Sequence, residues 1–154
     1  MDGLVDEIVL TPHYRSDDGP ERGPLFETRF REFADAVVQA GIDVKVHLGS
    51  ELAFRFGLAD LATSTPTARL AGGPFVLVDL PPGPLSPGLE QAFFEVRTAG
   101  LRPILAHPER HRELARDPQR LVQLRDQDLL LQIDAGSLRG RFGRRAQAAA
   151  IGLA

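Results

Sequence analysis

Apolar residues along the chain fall into five short runs, each separated from the next by a more polar stretch. The runs are rich in Val, Ile and Leu, which favours β-strands. They cover residues 7–10 (EIVL), 43–48 (DVKVHL), 75–80 (FVLVDL), 103–106 (PILA) and 129–134 (LLLQID). Because helical patterns lie between them, the order predicts βαβ crossovers and a mainly parallel sheet. The expected fold class is α/β.

An apolar stripe in residues 25–41 predicts the first long helix, since its members lie three or four positions apart. The stripe consists of Phe26, Phe30, Phe33 and Val37. Gly41 marks its end. A second helix is expected over residues 86–100, with Ser86 as its N-cap and Gly100 as its stop.

Weaker patterns complete the outline of the chain. Shorter helices are expected around residues 110–116 and 118–127, and a final helix near Arg141. Residues 63–74 are expected to form a surface loop. With 154 residues, the chain is short for a closed (β/α)₈ barrel, which takes about 250 residues. We expect a single domain over residues 1–154.

Composition narrows the functional classes. The net charge is −3, so there is no basic field of the kind that nucleic-acid or anionic-membrane binding requires. The chain has no Cys, which leaves His, Asp and Glu as metal ligands. Neither a signal peptide nor a membrane span is recognisable in the sequence, so a cytoplasmic location is expected.

A polar residue of ligand type follows each apolar run. These residues are His13, Glu51, Asp79, His107 and Asp134, separated by 38, 28, 28 and 27 residues. The carboxyl ends of parallel strands lie at one edge of a sheet, so the five should gather at one rim. Imidazole nitrogen and carboxylate oxygen suit Mn, Fe or Zn, and Glu51 has two oxygens with which to bridge two ions.

Four motifs in the chain resemble one known family. They are TPHY (11–14), GSEL (49–52), AHPERH (106–111) and QIDAGSLRGRFG (132–143). In this order they resemble the PHP-superfamily phosphatases of the bacterial capsule and exopolysaccharide type, which are metal-dependent protein-tyrosine phosphatases. The resemblance implies a distorted (β/α)₇, TIM-like barrel with a multinuclear metal cluster at its rim. Manganese is the expected metal, with iron, zinc or magnesium as alternatives.

The same resemblance implies roles for individual residues. His13, Glu51 and His107 correspond to metal ligands, and Glu51 also takes a catalytic role as the bridge between ions. Arg110 is expected to contact phosphate and to be catalytic. Arg139, the first of a local basic cluster, is expected to bind substrate. His47 is expected to be a structural histidine, and His111 an exposed one.

The chain also departs from the family's pattern at both ends. Members begin with a strand that carries an H-x-H pair and finish with a strand that carries an Asp-x-His pair, and neither motif occurs here. We therefore expect an incomplete partial barrel, truncated at both ends, that is a poor phosphatase by itself. Open sheet edges would favour association with another copy, which makes a homo-oligomer possible.

Three functions remain open at this point. The leading one is hydrolysis of phosphotyrosine on a bacterial tyrosine kinase that regulates capsule or exopolysaccharide synthesis. A phosphatase of a small phosphorylated metabolite is an alternative within the same superfamily. The third is a non-catalytic fragment or pseudoenzyme, which the missing ligand strands favour.

Overall fold

The computed structural model of the protein describes residues 5–15, 17–19 and 21–153. Its strands are β1 (Glu7–Leu10), β2 (His13–Tyr14), β3 (Lys45–Leu48), β4 (Glu51–Ala53), β5 (Phe75–Asp79), β6 (Arg102–Ala106) and β7 (Leu130–Gln132). Its α-helices are α1 (Arg22–Gln39), α2 (Leu58–Ser64), α3 (Leu89–Thr98), α4 (Pro118–Asp126), α5 (Ala135–Leu138) and α6 (Arg144–Leu153). Short 3₁₀ turns cover Pro66–Ala68, Leu70–Gly72, Pro108–Arg110 and Leu114–Arg116.

All strand pairs are parallel, and the strands follow chain order across the molecule. β2, β4, β5, β6 and β7 form a five-stranded sheet, and β1 pairs with β3. Paired residues are 38 apart in both the β1–β3 and the β2–β4 ladder, so β1 with β2, and β3 with β4, act as two bent strands. The predicted parallel α/β sheet is confirmed. Within the described residues the strands form an open sheet and not a closed barrel.

The five predicted strands are present, with adjusted ends. The strand expected over residues 43–48 begins at Lys45, and the one expected over 129–134 is confined to Leu130–Gln132. The short strands β2 and β4 were not predicted. Pro12 has no backbone N–H to donate, and it separates β2 from the apolar run before it.

The two long helices occur where the pattern placed them. Gly41 and Gly100 follow α1 and α3 with φ values of 64° and 77°, the left-handed conformation that ends many helices. The proposed cap of α3 was wrong, because the helix begins at Leu89 with Gly88 at the N-cap position. The Ser86 hydroxyl instead accepts a hydrogen bond from the Gly88 N–H at 3.4 Å.

Four weaker predictions had mixed outcomes. The helix expected at 110–116 is replaced by two 3₁₀ turns, whereas the one expected at 118–127 is present as α4. The final helix begins at Arg144, three residues later than expected. Residues 63–74 are not a surface loop, because Thr67 and Ala68 are buried. The buried Ser50 hydroxyl donates a hydrogen bond to the Thr67 carbonyl at 2.7 Å, which fixes this segment beside β4.

The two faces of the sheet have different roles. Val76 and Val78 of β5 are buried in a core cluster that includes Phe93 of α3. Leu77, which alternates with them, lines a cavity at the carboxyl edge of the sheet. One face is therefore packed beneath helices, and the other supports the polar rim. None of the described helices has the length and hydropathy needed to cross a membrane.

Candidate metal centre

The polar residues at the strand ends advance along the sheet in regular steps. His13 and Glu51 are 38 residues apart, which equals the β2–β4 pairing offset. Glu51 and Asp79 are 28 apart while their strands pair at an offset of 26, so Asp79 lies two residues further along. The pairing offset is 27 between β5 and β6 and 26 between β6 and β7. His107 therefore lies one residue beyond the position opposite Asp79, and Asp134 lies one residue beyond the position opposite His107.

This stagger explains why residues at different strand levels meet. From His13 to Asp134 the residues advance by four positions over four steps between neighbouring strands, which is about one residue per strand. A (β/α)₈ barrel, with eight strands and a shear number of eight, has the same average advance. In such a sheet the strands tilt relative to the barrel axis, so staggered positions return to the same rim. The excess of the residue spacing over the pairing offset, which is two, one and one residues from β4 to β7, reflects that tilt.

Glu51 lies at the centre of the rim. Its Oε1 atom is 3.2 Å from Nδ1 of His13 and 3.6 Å from Nε2 of His107. The Glu51 side chain is 12% exposed, and Oε1 accepts no hydrogen bond from the described residues. A buried carboxylate oxygen without a hydrogen bond is costly unless a cation balances it. The structure therefore brings together the three residues expected as ligands.

Asp79 joins this cluster as a fourth candidate ligand. Its Oδ1 atom is 3.6 Å from Nε2 of His107. Ligand atoms of His13, Glu51 and Asp79 all lie within 4.8 Å of one another. The sequence placed Asp79 at the rim by its spacing but did not assign it to the ligand set.

The donor set suits a divalent metal ion. Ligands that lie about 2.0–2.2 Å from an ion are roughly 3.0–3.6 Å from each other. The contacts of 3.2, 3.6 and 3.6 Å made by the two imidazoles fall in or at the edge of that range. Two nitrogen and two oxygen donors match the preferences of Mn, Fe and Zn. Geometry and chemistry thus both fit a metal at this position.

Electrostatics couple the members of the cluster. The His107 imidazole that faces Glu51 lowers the pKa of the carboxyl, against the opposing effect of burial. Reciprocally, Glu51 raises the pKa of His107. Burial raises the pKa of Asp79. A bound cation would favour the ionised forms of both carboxylates and the neutral form of the imidazole.

His107 is held in an unusual backbone conformation. Its φ of 32° lies in the left-handed region, which costs a non-glycine residue free energy. The His107 N–H donates to the Gln132 carbonyl at 2.8 Å, and Pro108 then starts a 3₁₀ turn. This turn reverses the chain directly after β6 and points the following residues back toward the rim.

A buried carboxylate, Glu109, fixes this turn to the start of α5. Glu109 is 0% exposed, and its Oε1 accepts hydrogen bonds from the Asp134 N–H at 3.1 Å and the Ser137 hydroxyl at 2.6 Å. Nothing in the sequence singled out Glu109 for this role. The nearest available signal was its position beside Pro108, where a tight turn directs neighbouring side chains to opposite sides.

Arg110 lies between the cluster and a neighbouring cavity. Its guanidinium is 4.3 Å from the centre of the Phe142 ring, and Nη1 is 3.5 Å from Oδ2 of Asp134. The side chain is 39% exposed, which leaves donors available to a ligand. Asp134 also accepts a hydrogen bond from the Gly136 N–H at 2.7 Å and so caps α5. Asp134 thus orients Arg110.

The other basic and imidazole residues lie outside the cluster. Arg139 is exposed, and it is absent from the described lining of both cavities at the rim. The structure therefore does not bring Arg139 to the cluster, and its role in substrate binding stays a prediction. His47 is structural as predicted, with Nε2 3.0 Å from Oε2 of Glu7. The expectation for His111 was wrong, because it is half-buried and lines the neighbouring cavity.

Together, the fold and the rim define an α/β protein with a barrel-like stagger and a candidate site for a divalent metal. The chain belongs to the capsular polysaccharide synthesis family CpsB/CapC, whose family model matches residues 1–153.

Two curated relatives extend this assignment. The chain is 25% identical over 149 residues to the tyrosine-protein phosphatase YwqE of Bacillus subtilis, covering 97% of the chain and 59% of the relative. It is 24% identical over 139 residues to the putative tyrosine-protein phosphatase CapC of Staphylococcus aureus, covering 90% of the chain and 54% of the relative. The chain thus spans less than two thirds of the length of these relatives.

A solved structure shares the fold. It comes from a study of YwqE from Bacillus subtilis and CpsB from Streptococcus pneumoniae, described there as unique metal-dependent tyrosine phosphatases. The TM-score is 0.86 at 24% identity, and the match covers 95% of this chain and 59% of that one. The partial-barrel fold expected from the sequence is therefore confirmed.

Proposed function

We propose that this chain carries the metal site of a phosphatase that hydrolyses phosphotyrosine in proteins. The observation that carries the proposal is the Glu51 Oε1 atom, which is buried, lacks a hydrogen bond among the described residues and faces two imidazoles. The relatives YwqE and CapC bear the name of tyrosine-protein phosphatase, which supports this choice of reaction.

His13, Glu51 and His107 would hold the metal, with Asp79 as a further ligand. Both imidazoles approach the same Glu51 oxygen, so Glu51 would be the central member of the ligand set. Manganese is the proposed metal, and iron, zinc and magnesium are the alternatives. When bound, a divalent ion supplies a Lewis acid that activates water and neutralises phosphoryl oxygens.

Arg110 would bind the phosphoryl group. A guanidinium stays charged at all working pH values and offers paired donors that match phosphate oxygens. The ring of Phe142 and the Asp134 carboxylate hold Arg110 at the edge of the metal cluster. Such preorganised charge stabilises the transition state of phosphoryl transfer. Arg139 would contact a more distant part of the substrate.

The proposed substrate is a phosphotyrosine protein, with a bacterial tyrosine kinase of polysaccharide synthesis as the candidate. The family's description, capsular polysaccharide synthesis, supports that context. The cytoplasmic location and the homo-oligomer expected from the sequence stay predictions.

The test measures phosphate release from a phosphotyrosine peptide with and without manganese. His107→Ala should abolish any metal-dependent turnover, because it removes a ligand. His47→Ala is the matched control, since His47 also faces a carboxylate but lies outside the cluster. Equal turnover in the wild type and in His107→Ala, or turnover without metal, would contradict the proposal.

A second candidate is a family member that binds metal without hydrolysing substrate. The chain matches 59% of the length of YwqE, and the H-x-H and Asp-x-His pairs of the family's pattern do not occur in its sequence. Manganese binding that depends on His107, combined with no turnover of phosphotyrosine or small phosphate esters, would favour this candidate. Turnover of small esters but not of the peptide would instead favour a metabolite phosphatase.

A further inference from the structure

A second cavity adjoins the metal cluster on the outer side of the rim. It has a volume of about 720 Å³ and lies between the segment after β5 and the turns that follow β6. We call it the outer cleft. Asp79, His107 and Arg110 line both the outer cleft and the cavity that contains Glu51. A phosphoryl group bound by Arg110 would therefore have the outer cleft directly beside it.

The two walls of the outer cleft differ in chemistry. One wall is apolar and consists of Leu80, Pro82 and Pro84. The opposite wall is basic, with His111, Arg112 and Arg116. Glu113 connects the walls, because its Oε2 accepts a hydrogen bond from the Leu85 N–H at 3.0 Å. The cleft is thus a built feature of the fold and not a gap between unconnected segments.

The basic wall has charge available for a ligand. Arg112 and Arg116 are exposed, and within the described part of the chain neither lies within 4.0 Å of a carboxylate oxygen. His111 has a buried Nδ1 atom that makes no hydrogen bond to the described residues. The described lining carries two carboxylates, Asp79 and Glu113, against three arginines, Arg110, Arg112 and Arg116, so positive charge exceeds negative charge in the cleft.

We propose that the outer cleft binds the peptide around the phosphotyrosine and selects an acidic residue next to it. The apolar wall would contact the tyrosyl ring, and Arg112 and Arg116 would pair with a neighbouring Asp or Glu. This inference rests on the proposed function for the position of the phosphoryl group. It adds two residues, Arg112 and Arg116, that set specificity through charge and take no part in metal binding.

The test compares labelled peptides by fluorescence anisotropy with the manganese-loaded protein. Four peptides are used, with phosphotyrosine or tyrosine at the centre and either Glu or Gln at the flanking positions. The proteins are the wild type, the double variant Arg112→Gln/Arg116→Gln and the control Arg31→Gln/Arg97→Gln. The control changes net charge equally, and its residues line neither cavity of the rim.

The wild type should prefer Glu-flanked over Gln-flanked peptides by roughly three- to tenfold, the size expected for two solvent-exposed ion pairs. This preference should shrink at high salt. It should disappear in the double variant and persist in the control.

Two results would overturn the proposal. One is a Glu preference that survives in the double variant or falls equally in the control. The other is a wild type without any Glu preference, including the case in which no peptide binds. Failure of the proposed function has a different signature: tyrosine and phosphotyrosine peptides would bind equally well, while the Glu-flanked member of each pair would still be preferred.

Discussion

Two carboxylate–imidazole groups in this protein look alike in the sequence and differ in the structure. Glu7, on β1, shares its oxygens between two partners, with Oε1 3.1 Å from Lys45 and Oε2 3.0 Å from His47. Glu51 instead receives two imidazoles on one oxygen, which accepts no hydrogen bond from the described residues. The side chain of Glu7 is 57% exposed and that of Glu51 is 12% exposed.

The difference shows what distinguishes a ligand cluster from a surface ion pair. Each oxygen of Glu7 has a matched donor and the side chain is largely exposed to solvent, so the group is complete without a further ligand. In the Glu51 cluster, buried ligand atoms converge on a single point, and the negative charge of the carboxylate there lacks a balancing cation. Convergence of this kind requires rigid support beneath the histidine, and Glu109 supplies it.

The largest effect should follow from removing that support. Glu109→Ala leaves the Asp134 N–H and the Ser137 hydroxyl without their acceptor in a buried position. We expect a loss of about 2–4 kcal/mol in the free energy of unfolding, because each buried donor left unpaired costs about 1–3 kcal/mol. Urea denaturation measures this loss.

Glu95→Ala is the control for that experiment, since Glu95 is an exposed helical residue whose side chain, among the described residues, pairs with Gln91 alone. Its effect should stay below about 0.5 kcal/mol. Similar losses in the two variants would remove Glu109 from its supporting role.

Backbone strain at His107 predicts a smaller effect. With φ at 32°, any residue with a Cβ is strained at this position, whereas glycine is not. His107→Gly should therefore be more stable than His107→Ala by about 1 kcal/mol, although both lose the imidazole. Thermal denaturation without metal compares them. Equal stability would show that the turn relaxes once the imidazole is gone.

The pH dependence of the metal-free cluster follows from its pKa shifts. Glu51 has a lowered pKa, so its contribution to stability is present above the ordinary value of 4.5 and is lost as pH falls through the folded value. His107 has a raised pKa, so its contribution is present below 6.5 and is lost as pH rises through the folded value. The pair should stabilise the metal-free protein most between those two ordinary values.

An NMR titration of the His107 imidazole tests whether Glu51 raises the pKa of His107. Glu51→Gln should lower the pKa of His107, because the facing carboxylate is removed while the burial remains. Glu7→Gln should leave the pKa of His107 unchanged. An unaltered His107 titration in Glu51→Gln would mean that Glu51 does not raise its pKa.

Much of this site could be predicted because the regular distance between successive strands is visible in the sequence. The 28-residue separations of Glu51, Asp79 and His107 reflect one strand and one helix of a staggered parallel sheet. That regularity places residues at the rim without any knowledge of side-chain contacts. His13 departs from this spacing, because it lies 38 residues before Glu51 and directly opposite it in the sheet, and its short strand β2 could not be recognised behind Pro12.

Other features depend on contacts that local pattern does not encode. The burial of Glu109 depends on Ser137, 28 residues away, and a charged residue beside an arginine reads as an exposed ion pair. The half-burial of His111 arises because a 3₁₀ turn replaces the expected helix. Segment 63–74 looked polar and flexible, yet a hydrogen bond from Ser50 holds Thr67 inside.

Manganese affinity at neutral pH, measured by calorimetry on three proteins, tests the central claim most directly. The wild type should bind manganese, and Glu51→Gln should weaken binding by on the order of 10- to 100-fold or more, since even outer-shell changes have effects of that size. Glu7→Gln, which alters the matched carboxylate–imidazole group on the surface, should bind as the wild type does. Equal affinity in the wild type and Glu51→Gln would contradict the account, because the cluster would then not be the metal site.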